Sequence, residues 1–210
     1  MPDGTDYVTS HGTHCAGSIA AQTGNGEGLS GTSANQARIM GLKVSDATAG
    51  IYDDSCIGAF AYVLKAKMAG ENVVATNCSW GGPSYSAIID FAIDQIGRAG
   101  VITFIAAGND GMDVGPAPNH PADTTSPYAI VVASADPDGT LSNFTNYNET
   151  IVDVAIGGSS ILSTLSANVG EHYISSVGAT AQPGTPTTQK AVNYALHDFD
   201  SYPDIATAIA

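Results

Sequence analysis

The order of apolar and polar positions predicts strands alternating with helices. Ala37–Val44 (ARIMGLKV) has the short apolar character of a strand. Ile57–Ala69 repeats apolar residues at helical spacing and stops at Gly70, which predicts a helix with a glycine terminus. Asn72–Ser79 (NVVATNCS) predicts a second strand. Ser86–Ala99 predicts a helix with Ile88, Ile89, Ala92 and Ile96 on one face and Gly100 as its stop. Val101–Ala107 (VITFIAA) is a continuous apolar run, and Ala129–Ala133 (AIVVA) is another. Continuous apolar strands between helices mark a parallel sheet covered on both faces. The predicted fold class is α/β, an open doubly wound parallel sheet with helices on both faces.

In such sheets function gathers in loops at the carboxyl ends of strands. Trp80-Gly81-Gly82-Pro83 follows one predicted strand, and Gly108-Asn109-Asp110-Gly111 follows the next. Toward the C-terminus the pattern weakens. Gly184–Thr188 reads as a linker, Gln189–His197 as a short helix, and Tyr202–Ala210 as a weak Ala/Ile pattern. The expected organisation is one domain over residues 1–183 and a divergent tail with a helical segment over 184–210.

The length of 210 residues suits a single domain with a sizeable core. Six Lys and Arg against 20 Asp and Glu leave a net charge of −14. A chain this acidic has no basic patch for phosphates, which argues against nucleic acid and anionic membrane as partners. The cysteine count of 3 is odd, and no Cys or His spacing suggests zinc. Met1–Gly4 lacks the basic and apolar regions of a signal peptide, and no apolar run is long enough to span a bilayer.

Three blocks carry chemistry. The first is Ser10-His11-Gly12-Thr13-His14-Cys15-Ala16-Gly17-Ser18-Ile19-Ala20-Ala21, a histidine at the mouth of a small-residue helix. The second is Asn77-Cys78-Ser79-Trp80-Gly81-Gly82, and the third is Val101–Asp110 (VITFIAAGND). Together they resemble, in order, the histidine, substrate-strand and oxyanion-hole blocks of the subtilisin-like serine proteases (subtilases). The cysteine after the second histidine resembles the proteinase K branch. Gly41–Val44, Tyr128–Asn148 and Asp153–Leu165 fit the same family, so the resemblance spans roughly residues 8 to 170.

The resemblance implies that His11 is the general base, that His14 is structural, and that Cys15 is a thiol beside His11. It implies that the backbone around Ser79, Trp80 and Gly81 pairs with an extended peptide by strand addition. Trp80 stands where the family more often has Leu. Ala106, Ala107 and Gly108 would line the specificity pocket, and Asn109 would donate its amide to the developing oxyanion. Loss of such a donor from subtilisin costs about two to three orders of magnitude in rate.

Two family blocks are not recognisable. The catalytic order is Asp, His, Ser, with the Asp closing an apolar strand well before the His. Asp3 and Asp6 are the only carboxylates upstream of His11, and neither follows an apolar strand. The usual Gly-Thr-Ser-Met-Ala-x-Pro nucleophile string is absent; Ser176–Pro183 (SVGATAQP) is the nearest remnant. Its nucleophile candidates are Thr180, Ser176 and Ser175, with no register that selects among them. The expected fold therefore lacks the usual first strand and a clear nucleophile helix, which leaves an exposed sheet edge and an uncovered face.

No metal site is assigned. Calcium is common in the family as a structural ion, and Thr23–Ser33 offers Asn25, Glu27 and carbonyls that suit a hard cation. No cofactor is expected for catalysis. The expected activity is peptide-bond hydrolysis through an acyl-enzyme by an incomplete or divergent domain; the alternative is a pseudoprotease that binds extended peptides. The expected partners are protein or peptide substrates of a monomeric, secreted enzyme.

Overall fold

The structure is a computed structural model. It describes residues 11–26, 28–45, 50–117 and 119–164, together with the backbone of two short strands at 172–173 and 182–183. The predicted helix over Gln189–His197 and the tail to Ala210 lie outside the described residues. The chain divides into two compact units, Met1–Leu42 with Ser159–Ala210, and Lys43–Gly158.

In the first unit, helix α1 runs His11–Ala20. Its buried positions are His14 and Gly17. The segment 161–164 lies along it. Ser163 Oγ donates to the His14 carbonyl at 2.6 Å, and Thr164 Oγ1 donates to the Thr13 carbonyl at 2.6 Å. Strands His172–Tyr173 and Gln182–Pro183 pair antiparallel.

The second unit is built on a four-stranded parallel sheet, β1 (Ala75–Cys78), β2 (Ile102–Ala106), β3 (Ala129–Ala135) and β4 (Val154–Gly157), in that spatial order. Helix α2 (Asp53–Met68) precedes β1, and α3 (Ala87–Arg98) makes the crossover from β1 to β2. This is the parallel α/β architecture that the apolar runs predict. Both helices end in Schellman geometry. Gly70 (φ 98°) and Gly100 (φ 87°) take the left-handed turn, and the next N–H reaches back to Ala66 and Ile96 respectively.

The strands alternate between two environments. On β2, Thr103 and Ile105 are buried while Ile102 and Phe104 are 36% and 39% exposed. Helix α3 contacts β2 and α2 packs on α3, so the Thr103 and Ile105 side is the covered one. Register puts Ile102 and Phe104 on one face with Ile130, Val132, Val154 and Ile156. Within this unit no described helix covers that second face.

Three expectations change. Residues 37–44 are not a strand: strand composition without a ladder partner among the described residues gives only an extended chain. Helix α2 begins at Asp53 rather than Ile57, because Asp53 and Asp54 in the first turn complement the helix dipole. The buried face of α3 is Ile89, Ile93, Ile96 and Gly97, and Ile88 is 51% exposed. The apolar arc of this helix is broad, and packing on the sheet selects its phase.

Candidate functional site

His11 opens α1 and is half-buried. Its Nε2 lies 3.8 Å from Cys15 Sγ, because residues four apart share a helix face. His14 is buried, with Nε2 3.3 Å from the Ile161 carbonyl, so it is held as a packed group rather than presented outward. Gly17 lets the 161–164 segment approach: a Cβ there would lie 2.6 Å from Ser163 Oγ.

In the second unit, β1 and β2 are paired in register through Cys78 and Ile105. The two glycine-rich loops therefore leave adjacent strands at the same end of the sheet. Ser79 and Trp80 are half-buried and Gly81 is exposed; Ala106 and Gly108 are half-buried, Ala107 is buried, and Asn109 is exposed. Asn77 Nδ2 donates to Ser79 Oγ at 2.8 Å. Gly108 adopts φ 108°, a conformation that favours glycine, and a Cβ there would collide with the amide nitrogens of Asn119 and Asn146.

The first loop is braced from the 119–123 segment. Gly82 and His120 exchange backbone hydrogen bonds of 2.9 and 2.8 Å. The buried His120 ring places Nδ1 2.7 Å from Asp123 Oδ1 and stacks edge-on against Tyr85 at 5.1 Å. Gly81 admits Asn119: a Cβ at Gly81 would sit 2.9 Å from Asn119 Oδ1. The second loop is fastened by Asn119, whose Nδ2 donates to the Ala107 carbonyl at 3.0 Å, and by residues 144–147.

Sequence patterns do not single out Asn119, His120 or Asn146. The one available signal is compositional. Ser142–Asn148 (SNFTNYN) is a polar run after an apolar strand, and its Ser142, Thr145 and Asn146 are buried. Buried polar residues in such a run need hydrogen-bond partners, and those of Asn146 include the backbone of residues 107–112.

Thr180, Ser176 and Ser175 lie outside the described residues. So does Glu27 of the candidate calcium loop. In that loop the Thr23 carbonyl already accepts from Asn35 Nδ2 at 2.8 Å, and no group of three or more His, Cys, Asp or Glu gathers among the described residues. The cysteines form no disulfide. Burial, then the Cys56 thiol, raises Cys78 to about 12; burial, then Asp53 and Asp54, raises Cys56 to about 11. Both stay protonated thiols at neutral pH. No described helix is long and apolar enough to cross a membrane.

Similarity to known proteins gives the family and the fold. The model of the subtilase family of peptidases matches residues 2–194. Thermitase of Thermoactinomyces vulgaris is 36% identical over 156 residues, covering 73% of this chain and 51% of thermitase. A cuticle-degrading serine protease of Arthrobotrys oligospora is 31% identical over 201 residues, covering 84% of this chain and 44% of that protein. The chain thus spans about half the length of the curated relatives it matches. A cold-adapted subtilisin-like serine proteinase superposes with TM-score 0.60 at 23% identity, covering 89% of this chain and 59% of that one, which speaks for the fold. A psychrophilic protease superposes with TM-score 0.64 at 23% identity, covering 95% of this chain and 67% of its own. A family match over most of the chain, with relatives above 30% identity, establishes that this chain belongs to the subtilase family.

Proposed function

We propose that this chain is part of a subtilisin-like serine endopeptidase, in which His11 is the general base and Asn109 the oxyanion donor. The observation that carries the reading is the pairing of β1 with β2. It sets the Ser79–Gly81 and Ala106–Asn109 loops side by side at one sheet end, where an extended peptide could run along the first and expose its carbonyl to the second. The substrates are unfolded or loop segments of proteins, since strand addition needs an extended segment. The nucleophile is a hydroxyl among Thr180, Ser176 and Ser175. In the acyl-enzyme step its oxygen attacks the peptide carbonyl, His11 takes its proton, and the amine leaves with that proton. The chain acts as a secreted monomer, and a bound calcium would be structural. The peptidase domain occupies residues 1–183 with a tail over 184–210; the family match over residues 2–194 supports the first and enters the second.

A second reading is favoured by one sequence observation, the absence of a Gly-Thr-Ser nucleophile string. Under it the chain binds extended peptides without cleaving them. A fluorophosphonate probe separates the two. Labelling of the purified chain that is lost in His11→Ala supports the endopeptidase. A cooperatively melting protein that takes up no probe overturns catalysis by this chain and leaves the binding reading.

A further inference from the structure

The loop that carries Asn109 is held by one buried side chain. Asn146 is 0% exposed. Its Oδ1 accepts the Asp110 N–H at 2.8 Å and the Met112 N–H at 3.4 Å. Its Nδ2 donates to the Ala107 carbonyl at 3.1 Å and to Asp110 Oδ2 at 3.1 Å. A carboxamide has two donors and two acceptor sites, and here all four are spent on residues 107–112. The backbone adds to this, with the Asn146 N–H donating to Gly108 at 2.9 Å and Gly111 donating to Phe144 at 2.8 Å. Asn109 is therefore flanked on both sides by residues fastened to Asn146, while it is itself exposed. We infer that Asn146 is the positioning residue for Asn109, fixing the direction in which that amide is presented. This rests on the proposed role of Asn109 as oxyanion donor.

The chemistry narrows what position 146 tolerates. Alanine leaves the Asp110 and Met112 N–H groups without their acceptor, although the Ala107 carbonyl keeps Asn119. Aspartate keeps the acceptor but, when ionised, turns a carboxylate toward the Ala107 carbonyl and the Asp110 carboxylate. Protonation restores one donor.

Amide hydrogen exchange of the full chain tests this. In Asn146→Ala the Asp110 and Met112 amides should exchange about tenfold faster or more, while Thr103 and Ala107, bonded to Tyr128 and Val132, keep their protection. In Asn146→Asp the loop protection should be lower than in the wild type and recover as the introduced carboxyl is protonated. This second variant carries the test if the alanine chain does not fold. Unchanged exchange at Asp110 and Met112 overturns the inference. On a cleavable peptide, Asn146→Ala should lower kcat toward that of Asn109→Ala with KM within about twofold; unchanged kcat in a folded variant also overturns it. Full turnover by Asn109→Ala instead sinks the oxyanion reading and leaves the exchange result standing. If no peptide is cleaved, exchange alone decides.

Discussion

Cys15 Sγ lies 3.8 Å from His11 Nε2 on the same face of α1. A group attached to that sulfur occupies the space beside the imidazole and displaces it. The other two cysteines are in a different situation, since Cys56 and Cys78 are 2% and 4% exposed.

Native-state alkylation should therefore label Cys15 first. Iodoacetamide at pH 8, followed by peptide mass spectrometry, should modify Cys56 and Cys78 about a hundredfold more slowly, because buried thiols react only through opening. Equal rates at the three sites would contradict the described packing. Mercurials should block any probe labelling of the wild type and spare that of Cys15→Ser.

The phase of α3 is open to a paired substitution. Ile93 is 0% exposed and Ile88 is 51% exposed. Ile93→Ala should cost about 2–5 kcal/mol, and Ile88→Ala should stay within about 0.5 kcal/mol. Urea midpoints measure both; similar losses would mean that the helix is rotated from the described face.

Gly97 sits inside the same helix, where alanine is intrinsically better by about 1 kcal/mol. A Cβ there, however, would run into the Tyr128 ring. Overpacking of this kind costs about 1–3 kcal/mol, so collision should win and Gly97→Ala should lower the melting temperature. A raised melting temperature would show that Tyr128 can move aside.

The buried thiols give a sign for alkaline stability. Unfolded, both titrate near 9.0; folded, Cys56 holds its proton to about 11 and Cys78 to about 12. Their contribution is complete below pH 9, declines once the unfolded chain begins to release protons, and is gone as pH passes the folded values. Denaturant midpoints should fall more steeply from pH 9 to 11 in the wild type than in the Cys56→Ala, Cys78→Ala double variant. Equal slopes would exclude the thiols as the cause.

The sequence by itself determined the parallel α/β class, the family, the helix stops at Gly70 and Gly100, and the His11 and Asn109 candidates. Each depends on local signals: a period, a turn residue, a contiguous string. Three things were decided only by tertiary structure. Residues 37–44 are not a strand, since pairing requires a partner that no local pattern supplies. Ile93 rather than Ile88 is buried, since a broad apolar arc fits several rotations until a sheet is packed against it. The carboxamide of Asn146 fastens a loop distant in sequence, since a buried amide finds its partners only when the chain has brought them within hydrogen-bond range.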